Sequence, residues 1–257
     1  MKYIFVLVLM VSSIFGSVLK STIISVDHEK NSATIKVDKV NVGMSGFVVQ
    51  KFTDEHASIL KNVIVESFDP QSKVATLKLL KYNDLKHSAL PRGEWDVKVG
   101  DLVVLAFGYT RAVLIAPNEE IYHKITRHTN SVQWIHPDIF VSILSMEGHP
   151  TPLKKDFEKM SMTSGVGLFF FYLEQKLFTV DARSFKVLNI SDVDLTQKSV
   201  KLPFFSRIDE IDSFWFGEGS SELESYEPHY YSLMIEHNPH NKELKELMKK
   251  FLEKDEE

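Results

Sequence analysis

Between residues 18 and 108, apolar and polar positions alternate with period two in the second arm of each of two similar hairpins. Ile24-Ser25-Val26-Asp27 leads through a polar turn at 28–32 into Ala33-Thr34-Ile35-Lys36-Val37. The same order returns 42 positions later, as Glu66-Ser67-Phe68-Asp69, a turn opened by Pro70, then Ala75-Thr76-Leu77-Lys78-Leu79. Such alternation sends successive side chains to opposite faces of a strand, so each copy reads as a hairpin. The Asp at each turn entry can accept a hydrogen bond from the turn's own backbone. Each hairpin is followed by a further β unit: Val40-Asn41-Val42-Gly43 into Phe47-Val48-Val49, and Val97-Lys98-Val99-Gly100-Asp101 into 102–105, the second after a longer loop around Pro91-Arg92-Gly93. The pattern predicts a small β-barrel or sandwich over 17–108, made of two similar β units.

From Arg111 the rhythm changes. Ala112-Val113-Leu114-Ile115 is an apolar strand, and Asn118 followed by Glu119 and Glu120 is a capped helix start. Val132-Gln133-Trp134-Ile135 reads as a second strand. Pro137 and Pro152 suit the first turn of helices near 138–147 and 152–162. Three short strands are expected at 167–173, 176–180 and 185–190. Strands mixed with helices imply an α/β domain over 109–215. Residues 216–240, with a Gly-, Ser- and Glu-rich stretch at 217–231, are expected to be loop or linker. A helix over 241–257 carries Leu244, Leu247, Met248, Phe251 and Leu252 at i, i+3, i+4, i+7 and i+8, an apolar stripe opposite a Lys/Glu face. The expected class is therefore mixed α+β: a β-barrel, an α/β domain and an amphipathic C-terminal helix.

Residues 1–16 read as a signal peptide: Lys2, a short apolar run, then small residues, with cleavage after Gly16 or Ser17. The run is shorter than the roughly 20 helical residues that span a bilayer, and no later segment is long and apolar enough to insert stably. The expected compartment is the periplasm, with the outer cell surface as the alternative. The chain has no cysteine, so no disulfide, thiol nucleophile or thiolate metal site is available. A net charge of −5, about −6 once Lys2 is removed, argues against nucleic acid as a partner.

A search for chemistry returns little. There is no HExxH, GxSxG or Walker loop. Gly217-Glu218-Gly219 lacks the third glycine of a dinucleotide fingerprint, and Ser58-Ile59-Leu60-Lys61 is a loose four-residue match. His237 and His240, with His229 and Glu236 nearby, have imidazoles at metal-ligand spacing, but Pro239 interrupts the pair and a surface loop is expected. The carboxylates of Glu218, Glu222, Glu224 and Glu227 lack the grammar of a calcium loop. No enzyme activity, metal or cofactor is expected. Two features fit a protein partner instead. One is Phe214-Trp215-Phe216, an aromatic cluster beside a polar loop. The other is the tail-helix stripe, which either docks on its own domain or meets a partner.

Several segments carry a likeness to a known family. Arg111-Ala112-Val113-Leu114-Ile115-Ala116-Pro117-Asn118, Tyr122, Trp134-Ile135-His136-Pro137-Asp138-Ile139-Phe140 and Phe178-Thr179-Val180-Asp181-Ala182-Arg183-Ser184-Phe185 resemble the N-terminal domain family of plasminogen-binding protein A, from spiral, polar-flagellated bacteria. The likeness covers about 18–220 and has no catalytic content. It implies an envelope protein with a non-enzymatic, protein-binding role. One version is a periplasmic scaffold that meets flagellar-motor or other periplasmic proteins, or its own copies, in the discs around the motor. The other is a surface receptor that captures host plasminogen through lysines. The sequence ends Lys254-Asp255-Glu256-Glu257, without the terminal lysine that kringle modules prefer, so Lys249, Lys250 and Lys254, set among acids, are the candidates for that second role.

Overall fold

A computed structural model describes residues 18–53, 56–82 and 95–255. The expected signal peptide and the loop around Pro91-Arg92-Gly93 lie outside the described residues. Six strands form a closed barrel: β1 (Leu19–Asp27), β2 (Ser32–Lys36), β3 (Ser45–Lys51), β4 (Ala57–Asp69), β5 (Val74–Lys81) and β6 (Leu102–Leu105), in the order β1-β2-β5-β4-β3-β6 with antiparallel neighbours throughout. Ile23, Ile35, Val48, Val63, Val65, Leu77, Val103 and Leu105 fill the interior. Closure removes the free strand edges that invite aggregation.

The two similar β units are related by a pseudo-twofold axis, and the register shows it residue by residue. Thr34 pairs with Thr76, its own counterpart 42 positions on, flanked by Ala33 with Leu77 and Ile35 with Ala75. Val37 N–H donates to the Lys73 carbonyl and Leu79 N–H to that of Asn31, again an exchange between equivalent sites. Both copies carry a bulge at the same place, between Ile23 and Ser25 and between Val65 and Ser67. Both turn residues Asn31 and Lys73 have positive φ, 50° and 58°. The turn aspartates act as expected, Asp27 accepting from Lys30 N–H and Asp69 from Gln71 and Ser72.

The units also swap arms. In the first, Gly43 N–H donates to Val65 and Val65 N–H donates back to Met44; in the second, Gly100 and Asp101 make the same pair of bonds with Ile23. The arms β3 and β6 then pair about Phe47 and Val104. Each unit therefore completes the other, which is how a hairpin too small to bury its own apolar face becomes stable.

The second module is a five-stranded sheet of order β11-β10-β9-β7-β8. In chain order it runs β7 (Arg111–Ile115), α1 (Glu119–His128), β8 (Gln133–Trp134), α2 (Pro137–Glu147), α3 (Lys154–Ser164), β9 (Leu168–Leu173), β10 (Lys176–Asp181), β11 (Val187–Asp192), α4 (Tyr226–His237) and α5 (Lys242–Asp255). β8 and β9 lie parallel to β7, β10 runs antiparallel to β9, and β11 antiparallel to β10. Asn118 caps α1 by accepting from Ile121 N–H at 3.0 Å. Pro137 opens α2, as expected, and Gly148 at φ 68° ends it. α3 starts two residues beyond Pro152, where Asp156 accepts from Leu153 N–H at 2.8 Å.

β9 is buried along its whole length because the sheet is covered on both sides. Phe170 and Tyr172 face a core continuous with the barrel interior, completed by Tyr122 and Ile125 of α1. Phe169 and Phe171 face a second core under α2, α3, α4 and α5. The sequence reading differs from the structure at 216–240, expected to be loop or linker. Residues 226–237 there form α4, whose Tyr226, Tyr230, Tyr231, Leu233 and Met234 are buried. Burial of that face outweighs the polar, Gly- and Ser-rich signals just before it.

One carboxylate is a polar junction between the barrel and the sheet. Asp181, fully buried at the end of β10, accepts five hydrogen bonds. Ser45 N–H at 3.0 Å, Ser45 Oγ at 2.8 Å and Tyr109 OH at 2.5 Å reach Oδ2. Arg183 and Ser184 N–H, at 3.0 and 2.7 Å, reach Oδ1. Burial, then the Asp181 charge, push the Tyr109 pKa well above its ordinary value, so the phenol stays a donor. Ser184 Oγ adds a bond to the Gly43 carbonyl, and the Arg183 guanidinium lies 4.7 Å above the Phe47 ring.

Candidate functional site

The irregular segment 206–225 is pinned along the outside of α2 and turned outward at its middle. Arg207 Nε and Nη2 both reach the Asp138 carboxylate at 2.7 Å, and Arg207 N–H donates to its other oxygen at 2.9 Å. Asp212 N–H meets Ser145 Oγ at 3.2 Å, and Phe214 N–H the Gly148 carbonyl at 3.3 Å. The Phe214 ring lies against Gly148, where an added Cβ would come within 2.3 Å of its Cγ. Beyond the turn, Thr151 N–H donates to Gly219 and its hydroxyl to Ser221.

Held on both sides, the turn sends its aromatics to solvent. Trp215 is 97% exposed, Phe216 83% and Phe214 58%. Met146 and Ile139 of α2 are also large exposed apolar side chains. The same segment carries exposed Asp209, Glu210, Asp212, Glu218, Glu222 and Glu224. A pinned Trp/Phe tip on a segment otherwise rich in exposed carboxylates has the composition of a protein-contact anchor.

The tail-helix stripe answers differently. Leu244 is fully buried, Phe251 nearly so, and Leu247 and Met248 are half-buried against the second core. The Phe251 ring lies 6.0 Å from that of Tyr231 on α4. These four side chains pack against their own domain, the first of the two alternatives the stripe left open; burying Leu244 and Phe251 contributes about 2 kcal/mol each to the fold. Leu252 alone of the stripe is exposed, at 44%. On the opposite face Lys249 and Lys250 are exposed, and Lys249 Nζ stands 3.5 Å from Glu253. The side chain of Lys254 lies outside the described residues.

The histidines near Pro239 point elsewhere. His229 Nε2 faces the Pro152 carbonyl at 2.9 Å, and burial lowers its pKa. The His237 ring packs on Phe185. Among the described residues no three His, Asp or Glu side chains are grouped to hold a metal ion, and no helix is long and apolar enough to cross a membrane. Sequence reasoning found the aromatic cluster but missed Asp181 and α4. The spacing of Tyr226, Tyr230, Leu233 and Met234 at i, i+4, i+7 and i+8, with Pro228 in the first turn, was the available signal for the helix.

The comparisons with known proteins converge. The chain is 29% identical over 219 residues to the plasminogen-binding protein PgbA of Helicobacter pylori strain J99, and 28% identical to that of strain 26695. Each match covers 84% of this chain and 47% of the relative, so the chain spans about half the length of these curated relatives. No solved structure matches. The family model described as "Plasminogen-binding protein pgbA N-terminal" matches residues 18–234, from the start of the barrel into α4, with the aromatic turn inside it and the α5 lysines beyond it. The chain belongs to this family.

Proposed function

We propose that this chain is a non-enzymatic protein-binding module of the bacterial envelope, exported to the periplasm or onto the cell surface, and that the Phe214-Trp215-Phe216 turn is its contact. The observation that carries this reading is the exposure of Trp215 on a segment fixed at both flanks. A rigid, solvent-facing Trp adds binding area with little ordering cost. The names of the relatives support host plasminogen as one partner, and the exposed Lys249 beside Glu253 offers the ammonium–carboxylate pair that the lysine mechanism uses. The second reading is a periplasmic scaffold of the flagellar motor, with motor proteins or further copies as partners. The solvent-facing aromatic turn, which needs no lysine, favours it.

One paired experiment separates the two. Immobilised plasminogen is titrated with the wild-type chain, Trp215→Ala and Lys249→Ala/Lys250→Ala, with and without a soluble lysine analogue. In parallel, the same variants are cross-linked in living cells and scored for swimming. Lysine-competable binding, lost in the double lysine variant, supports the receptor reading. Motor proteins in the cross-linked set, lost at least tenfold with Trp215→Ala, support the scaffold. Retention of every partner in the Trp215→Ala variant overturns the aromatic turn as the contact.

A further inference from the structure

The net charge of the chain is gathered in one place. Residues 206–225 hold one arginine and six carboxylates, a net charge of −5, which equals that of the whole chain. The remaining residues therefore sum to zero. Elsewhere acids and bases sit side by side, as in the ion pairs along α1, α3 and α5. In this segment Asp209 has a cation, Lys201 at 3.1 Å, while Arg207 is engaged outside it, on Asp138 of α2. Glu210, Asp212, Glu218, Glu222 and Glu224 are exposed and have no ion-pair partner among the described residues.

The uncompensated charge and the exposed aromatics share one stretch of backbone. Asp212 and Glu218 lie three residues to either side of Trp215, so their Cα atoms stand within about 11 Å of its own. That is close to the screening length of about 10 Å at 0.1 M salt. The backbone is fixed on one side of the turn by the bonds of Asp212 and Phe214 N–H, and on the other by those of Thr151 to Gly219 and Ser221. Rings and carboxylates are therefore presented together. A second copy of the same turn would set −5 against −5, and an anionic lipid surface or a nucleic acid would meet the same repulsion. The occupant that fits supplies apolar cover for the rings and positive charge beside it. Opposite fields steer such an encounter and raise its rate, and a lysine or arginine can also lie over the Trp215 ring.

We propose that the aromatic turn docks on a basic protein surface, in which apolar side chains that cover Trp215 and Phe216 are bordered by lysine or arginine facing Asp212 and Glu218. The proposal rests on the reading of this turn as the contact and adds the chemistry of its partner. The partner's charge is opposite to that which the exposed α5 lysines would seek.

The test titrates a fluorescein-labelled amphipathic leucine/lysine peptide with the full chain, read by anisotropy, with a leucine/glutamate peptide of the same pattern as control. The expected result is saturable binding of the leucine/lysine peptide and none of the control. Binding should weaken at least about tenfold at about 1 M salt, where the screening length falls to about 3 Å. Trp215→Ala and the double variant Asp212→Asn/Glu218→Gln, all at exposed positions, should each weaken it about tenfold. Should the double variant lose its thermal transition, Glu222→Gln/Glu224→Gln takes its place. Binding that weakens in the charge variant but not in Trp215→Ala overturns the turn as the contact, and the proposal with it. Trp215-dependent binding of the leucine/glutamate peptide, or of phosphatidylcholine vesicles in place of the leucine/lysine peptide, keeps the turn as the contact and overturns the basic partner. So does leucine/lysine binding that is lost in Trp215→Ala and unchanged in the charge variant. Absence of leucine/lysine binding overturns the proposal outright.

Discussion

The two halves of the barrel share a backbone plan and differ in what they touch. Gly43 and Gly100 occupy equivalent turns with φ of 93° and 94°, and each bonds the bulged strand of the other unit. A Cβ on Gly43 would come within 2.4 Å of Lys186, while a Cβ on Gly100 would meet nothing within 4 Å. One half is therefore the foundation of the α/β module, and its twin faces open space. The first-unit residue Ser45, which bonds Asp181, has Leu102 as its counterpart in the second. Symmetry of the chain trace builds the barrel, and departures from it at a few side chains decide where the second module attaches.

Removing the carboxylate that marks the difference should have the largest effect. Asp181→Ala strands donors from Ser45, Tyr109, Arg183 and Ser184, and a loss of about 3 kcal/mol or more is expected as a shift in urea midpoint. A smaller shift would mean that the remaining contacts, the shared core and the Ser184–Gly43 bond among them, hold the modules together. The twin glycines come next. Gly100→Ala pays only for its backbone conformation, about 1 kcal/mol. Gly43→Ala adds a clash with Lys186 and is expected to cost about 2–4 kcal/mol. Equal losses in thermal melts would erase the proposed asymmetry. The smallest effect belongs to the hairpin turns. Asn31 and Lys73 share a left-handed conformation that asparagine tolerates better than lysine. Lys73→Asn should stabilise by about 0.5 kcal/mol despite losing an exposed ion pair with Asp38. Asn31→Lys should cost a similar amount in the same melts.

The repeat was legible because period-two alternation and turn aspartates are local signals, and 24–37 and 66–79 carry both. The swap of arms was not, since it depends on Gly43 finding Val65 and Gly100 finding Ile23 across the chain. Asp181 stood in a segment that carries the family likeness, yet its bond to Ser45 spans 136 positions, and no spacing rule reaches that far. α4 hid behind a stretch whose Gly, Ser and Glu content describes the loop before it. The tail stripe was correctly apolar, but a stripe does not reveal which surface covers it. The exposed aromatic turn was visible in outline because three large rings beside a polar segment cannot all be buried cheaply.

Leu244 and Phe251 complete the second core from the last helix described. As the chain emerges, that core stays open until α5 has followed, whereas the barrel is complete by Leu105. The growing chain thus passes through a stage in which a closed barrel precedes a sheet with an uncovered aromatic face. Such an intermediate invites aggregation unless it is shielded. The order of elements closes the barrel first and leaves the second core to be completed by α4 and α5.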